Sequence, residues 1–514
     1  MKMLENIFKA VLVVVLVVLS GCSKEFLDVK PTGKTTESEF YKTDEDASMA
    51  LIAAYDILQL YSLLSFDSPG MTRVLASDES VAAGGGPSDL IHFQEFDDYS
   101  YTTTNRAIKR AYEVFYFGVN RANLVIDNID PTSEFRERII AEAKVLRSFY
   151  YFELVTMFGG VPLHKTVPGA NGYAKKRATV QDVYQFIEEG LTEAIPKLAH
   201  KSELSNSDQF RVSVETAQAL LGKAYLYQEK WTEATQVFGD LILNEGSEVG
   251  LDPDYAHLWS PDGRWGQETL MNISFSSYEN HVDAGNVWAE TSRRGYEANY
   301  DVQLMGPRVE FYNLGTSDLL YGWGFNSPTE SIYNAYVNAG DVLRRQATLM
   351  SEDELLNTYG GSVSPDAFGW HGSIRLKYAT YADQTSFDAD PVMNYGNNYR
   401  LLRYADVLLM AAEAYYRSGD ENQARIELNK VRQRAGMGDV TAGGDDLFSA
   451  IILERQLELA FEGQRFFDLV RWGTAADILG SDGFVAGKHE LFPIPQQEID
   501  VNPAITAADQ NPGW

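Results

Sequence analysis

Few side chains in this chain of 514 residues are suited to covalent or metal chemistry: there is one cysteine, Cys22, and the seven histidines are scattered without ligand spacing. With Cys22 near the amino terminus, the remainder has no thiol for a disulfide, a metal centre or a nucleophile. The sequence has no Gly-x-Ser-x-Gly, no His-Glu-x-x-His and no glycine-rich phosphate loop, the arrangements behind many hydrolases, zinc enzymes and nucleotide binders. Among 73 acidic residues a pair of carboxylates is uninformative, because acid/base work on a glycosidic bond is defined by spatial separation. The acidic stretches Asp44–Asp46 and Asp388–Asp390 lack the ligand spacing of a calcium loop, so no cofactor is expected and calcium is the one ion left open. No catalytic residue is assigned, and the chain reads as a binder and not as an enzyme.

The setting of Cys22 is specific. Lys2 and Lys9 precede an apolar run, Ala10 to Leu19, which ends in Ser20, Gly21 and Cys22. That run is too short for a membrane span and matches a signal-peptide core. Leu19-Ser20-Gly21-Cys22 resembles the bacterial lipobox, which implies cleavage before Cys22 and a diacylated thiol. Residues 1–21 are therefore expected to be a signal peptide and residues 22–38, rich in Pro, Gly, Thr and Lys after Val29, an anchor and tether. Ser23 to Asp28 resembles the acid-bearing segment that sends some lipoproteins outward across the outer membrane. Losing Lys2, Lys9 and Glu5 with residues 1–21 takes the net charge from −30 to −31. So acidic a body repels phosphate backbones and anionic lipid, which excludes nucleic acid and leaves acyl chains as the route to the membrane.

Helical periodicity recurs in Ala47–Tyr61, Ile108–Ile129, Ile139–Met157, Val180–Leu198 and Val214–Leu243, and again in Tyr399–Ala435 and Leu447–Leu479. Residues 246–398 are dense in Gly, Pro, Asn, Ser and aromatics and read as loops and short strands. A weak repeat runs through the helical parts. Ala224-Tyr225 is followed by Ala234 and Phe238, and Ala414-Tyr415 by Ala424 and Leu428, each with a break between, near Glu229-Lys230 and at Ser418–Asp420. This spacing resembles tetratricopeptide helix pairs, which bury their faces only by stacking, so about four pairs are expected. The fold class is mainly α: residues 39–245 and 399–514 form helical parts of one body, and 246–398 a loop-rich insertion that binds ligand. Tyr225, Phe238 and Tyr415 read as core.

Longer motifs carry a family resemblance. Arg147-Ser148-Phe149-Tyr150-Tyr151-Phe152-Glu153-Leu154, with Gly159-Gly160-Val161-Pro162 after it and Arg177–Tyr184 beyond, forms one. Arg403–Tyr415, Leu428–Gly436, Glu454-Arg455, Glu462–Trp472, Phe492–Pro495 and Asn511-Pro512 follow in order. Together these resemble the SusD-like (RagB/SusD) family over nearly the whole chain after residue 21. The resemblance implies an outer-membrane, lipid-anchored, outward-facing binding protein that captures glycans and hands them to a SusC-like TonB-dependent transporter. Arg147, Arg403, Glu413, Glu454, Arg465 and Arg471 sit on or beside apolar helix faces, where charges must be paired, and are read as structural.

A sugar offers apolar C–H faces edged by hydroxyls, so its binder needs flat rings and fixed polar partners, usually in irregular segments. Two stretches qualify. In residues 77–105 the candidates are Asp78, which resembles an acidic position of the family, together with Tyr99, Tyr101 and Asn105, the last also legible as a helix N-cap. In residues 278–325 they are Trp288, Arg293, Tyr296, Tyr300 and Trp323, the last flanked by Gly322 and Gly324. Rival readings are a helix-repeat scaffold without a sugar site, a binder of peptide or glycopeptide, and a glycoside hydrolase. The sequence leaves the ligand's identity open.

Overall fold

A computed structural model describes residues 1–3, 5–6, 40–61, 67–169, 172–275, 299–385 and 395–514, without the side chains of Tyr300 and Asp301. The apolar run, Cys22, the tether, Trp288, Arg293 and Tyr296 lie outside the described residues.

Among the described residues the long helices that carry the body are α1 Asp44–Tyr55, α2 Arg106–Asn128, α3 Glu134–Phe158, α4 Val180–Ala194, α5 Val214–Leu226, α6 Trp231–Ile242, α7 Tyr404–Arg417, α8 Glu421–Arg434 and α9 Gly444–Glu458. The first five start at Thr43, Asn105, Ser133, Thr179 and Ser213, whose side-chain oxygens each accept a backbone N–H of the first turn. These caps satisfy donors that the helix itself cannot. Asp44 and Asp46 are used up here: Asp46 completes the capping box with Thr43, and Asp44 accepts from Arg136 at 2.6 Å.

The stack runs α2 on α3, α3 on α4, α5 on α6, α6 on α7, and α7 on α8. The repeat residues explain the close contacts. Ala224, Ala234, Phe238, Ala414, Ala424 and Leu428 are all buried, and a Cβ at Gly222 would lie 2.3 Å from the Phe238 ring. Only glycine lets α5 and α6 approach so closely. Tyr415, half-buried, donates from its hydroxyl to the Thr235 carbonyl at 3.4 Å and ties the second repeat to the first.

The periodic segment beginning at Tyr399 starts as a strand. Tyr399–Arg403 (β8) pairs antiparallel with Thr269–Ile273 (β2), and the helix begins at Tyr404. Alternation near the strand was masked by burial on both faces, since Tyr399, Arg400, Leu402 and Arg403 are all buried. The middle third holds short antiparallel pairs as expected, β1 Ser80–Ala83 with β4 Phe325–Pro328, β3 Tyr312–Asn313 with β6 Ser362–Val363, and β5 Leu349–Ser351 with β7 Ser373–Arg375. It also holds the helices Glu330–Ala339 and Val342–Thr348.

One apolar core runs from Ala47 to Ile494 through every long helix, and two smaller clusters lie under the middle third. Across that core the motif charges pair. Arg403 binds Glu462 at 2.7 and 2.8 Å, Glu458 at 3.0 Å, and Glu268. Arg344 and Arg434 share Glu458 with it, and Lys377 binds Glu462 at 2.6 Å. Arg455 joins Asp406 and Asp468, Lys223 also binds Asp406, and Arg471 grips Glu413 with both nitrogens while Trp472 donates to the same carboxylate. Arg147 is held by Asn123 at 2.8 Å and stacks over Phe186.

Candidate functional site

The β1–β4 ladder positions the site. Ser80 faces Pro328 at one end and Ala83 faces Phe325 at the other. Its backbone is strained at Ala83 and Asn326, with φ of 54° and 57°, and so are Leu90 and Tyr99 on either side of the neighbouring helix Ile91–Asp97, with φ of 43° and 55°. Such conformations persist only where surrounding structure imposes them, and they concentrate at ligand sites.

Beyond the Ser80 end opens a cleft of about 800 Å3. The Thr329 hydroxyl donates to the Asp78 carbonyl at 2.6 Å and its N–H to the Glu79 carbonyl at 3.0 Å, tying the start of the helix Glu330–Ala339 to β1. That helix turns Glu330, Ser331, Asn334 and Asn338 into the cleft, and Asp97, His371, Gln456, Asp477 and Asp482 add to the lining. Asp78 reaches the same space, but its carboxylate is engaged by Arg465 at 2.8 and 3.0 Å. Burial raises the Glu79 carboxyl to about 8 and that of Asp97 to about 7. Each has an oxygen fixed by a backbone N–H, from Phe461 at 3.0 Å and from Ala82 at 2.8 Å. Ser80 Oγ and Arg465 Nη1 are buried polar atoms in the wall without a hydrogen-bond partner among the described residues. Amides, hydroxyls and carboxylates in one concavity suit a polyol, and the excess of carboxylates over Arg465 disfavours an anion.

Past the Ala83 end stands Trp323. The Gly84 N–H donates to the Gly324 carbonyl at 2.9 Å, and a Cβ on Gly84 would lie 2.5 Å from the Phe325 ring. The Trp323 backbone is clamped from both sides, its N–H on the Gln303 carbonyl at 2.8 Å and its carbonyl accepting from Arg308 at 3.3 Å. Arg308 in turn binds Asp89 at 3.1 Å, which accepts the Gly85 N–H at 2.8 Å. The indole is half-buried against the core, and Tyr321 beside it is 38% exposed. A flat ring fixed at both ends of its backbone is suited to stacking.

Three sequence-derived candidates are largely buried. Tyr99 is 5% exposed, its hydroxyl donates to the Ala76 carbonyl at 2.6 Å, and its ring packs edge-on against Phe484. Tyr101 is 1% exposed and stacks on Trp514. Asn105 is buried as the α2 N-cap, with its amide nitrogen on the His92 carbonyl and the Glu95 carboxylate. Tyr101 and Asn105 are sealed by packing and line neither this cleft nor the indole's surroundings, whereas Tyr99 is packed but keeps an edge in the cleft lining. Asp78 holds Arg465 instead of standing free. Tyr300 begins the short helix Tyr300–Met305 that carries Gln303. Arg308, Asp89, Asn334 and Asn338 were missed. The last two had a legible signal, since 330, 331, 334, 335 and 338 mark one face of a helix; Arg308 and Asp89 had none.

The fold is a helix-repeat scaffold with a polar cleft at one end of the β1–β4 ladder and a fixed indole past the other. Residues 25–226 match a family described as starch-binding associating with the outer membrane, and residues 370–483 match the SusD family. A curated SusD-like protein from Formosa agariphila is 26% identical over 99% of both chains. A solved laminarin-binding SusD-like protein is 32% identical, covers 92% of this chain and all of its own, and superposes with a TM-score of 0.81. The fold is shared as well by surface glycan-binding protein A from Bacteroides thetaiotaomicron, solved with laminarihexaose, at 23% identity, coverage of 91% and 100%, and a TM-score of 0.77. The chain belongs to the SusD-like family.

Proposed function

We propose that this protein captures a neutral glycan at the cell surface, laminarin being the first to test, and delivers it to a SusC-like TonB-dependent transporter while anchored through acylated Cys22. The observation that carries the reading is the clamped Trp323 indole at one end of the β1–β4 ladder with the 800 Å3 polar cleft at the other. The 32%-identical laminarin-binding relative supports the choice of ligand class. In this reading the ring stacks on a pyranose face while cleft amides and carboxylates take the hydroxyls. Trp288, Arg293, Tyr296 and Tyr300 are proposed as further contacts from the same segment.

Calorimetric titration of the purified protein with laminarin and laminarihexaose tests it, and the absence of heat with both would refute it. Mass spectrometry of the amino terminus tests acylation of Cys22, and co-purification from outer membranes tests the transporter. The reading assigns no catalysis and no cofactor. Reducing ends released from laminarin, or binding lost on treatment with a chelator, would overturn those two statements respectively.

A further inference from the structure

A second groove, away from the ladder, has the makings of a sugar site. It encloses about 480 Å3 between α2, residues 162–168 and 173–174, and the short helix Gln496–Val501. One face of α2 supplies Tyr112, Tyr116, Asn120 and Asn123, at i, i+4, i+8 and i+11. Pro162, His164, Pro168 and Tyr173 form the opposite wall, and Glu498 and Asn502 the third.

The walls are built, not accidental. The Tyr116 hydroxyl donates to the Pro162 carbonyl at 2.7 Å, and the Asn123 amide to the His164 carbonyl at 2.9 Å. Asn502 donates to the Lys175 carbonyl at 3.0 Å and to Glu498 at 2.7 Å, joining the carboxy-terminal helix to the wall. Yet the groove is not filled. Phe117 is 40% and Tyr173 59% exposed, while His164 Nδ1 is a buried atom with no hydrogen-bond partner among the described residues. The Tyr112 hydroxyl is buried against that of Tyr116. A purely apolar occupant would leave the His164 nitrogen unsatisfied, which is costly. Water alone would leave the Phe117 and Tyr173 faces wet. Flat apolar rings above an unspent hydrogen-bonding atom fit a ligand with one apolar face and a hydroxyl rim. The carboxylates Glu113 and Glu498 in the lining argue against an acidic sugar.

We infer that this groove is a second binding site for a pyranose of a neutral glycan, with Phe117 and Tyr173 as platforms and His164 and Asn120 as hydroxyl partners. It rests on the glycan-binding reading and adds a second point of attachment, so that a long polymer is held at two places by one protein.

The test is calorimetry of the purified protein with laminarihexaose and laminarin, using the double variant Phe117→Ala/Tyr173→Ala and, separately, Trp323→Ala. Both groove residues are exposed, so the double variant keeps its melting temperature. The expected stoichiometry for laminarihexaose is about two in the wild type and about one in either variant, and the double variant loses about tenfold or more in affinity for laminarin. A wild-type stoichiometry of one, lost in Trp323→Ala and untouched in the double variant, would overturn the groove and leave the glycan reading standing. No heat at all in the wild type would overturn both.

Discussion

The ion-paired centre and the β1–β4 ladder are built on opposite plans. At the centre, Arg403, Arg344, Arg434 and Lys377 converge on Glu268, Glu458 and Glu462, with the arginines shared between carboxylates from distant segments. Along the ladder the backbone is strained, two carboxyls are held far above their ordinary range, and polar atoms of Ser80 and Arg465 go unmatched. The first arrangement turns its charges on one another inside the protein, with single nitrogens of Arg344 and Arg434 left without a partner among the described residues, and the second carries its unmatched atoms in the wall of an open cleft. Most of the long family motifs belong to the first, and Arg465, within the Glu462–Trp472 motif, is the member that reaches the cleft.

That contrast can be broken in order of effect. Arg403→Ala removes one cation from each of three buried carboxylates, which keep Arg344, Arg434 and Lys377, and is expected to cost about 3 kcal/mol, read as a fall in the denaturation midpoint; a loss below 1 kcal/mol would mean the centre is not a structural hub. Asp78→Asn weakens the bidentate grip on Arg465 and is expected to cost about 1–3 kcal/mol, measured the same way, with affinity for glycan falling alongside stability. Trp323→Ala should do the reverse. Affinity for laminarin drops at least tenfold, while stability falls by only about 1 kcal/mol because the indole is half-buried. Equal losses in both quantities would make Trp323 a core residue.

The smallest effect concerns pH and separates the regions by sign. Burial works to raise the Asp406 carboxyl, but Lys223 and Arg455 hold it to about 2 in the folded chain. It therefore contributes stability that is present above its unfolded value, roughly 3.9, and is lost as pH falls toward 2. Asp97 is raised to about 7 by burial, so the folded chain binds the extra proton and stability declines as pH climbs from roughly 4 through 7. Asp97→Asn keeps an acceptor for the Ala82 N–H and removes that decline. Thermal melts of the two proteins should coincide at pH 4 and diverge at pH 8, with the variant more stable; parallel curves would rule out Asp97 as the cause.

Much of the fold was legible because its long helices carry a 3.6-residue period and polar caps, and because motif charges on apolar faces can only be paired. The turns at Glu229-Lys230 and Ser418–Asp420 fall between α5 and α6 and between α7 and α8 as the repeat implied. The site was less legible, for a physical reason. Tyr99 and Tyr101 lie in a stretch that looks irregular, but Phe484, His489, Phe492 and Trp514, almost four hundred residues on, close over them. No local pattern announces a lid that distant. Trp323 was readable from its glycine neighbours, whereas the Arg308–Asp89 clamp exists only once residues 84 and 324 are side by side.

The Asp78–Arg465 pair spans 387 positions of sequence, and β1 waits for β4 across almost 250. Loops that long close slowly. A nascent or truncated chain therefore has helices well before it has a cleft, and competence to hold a ligand arrives only with the last tenth of the polypeptide.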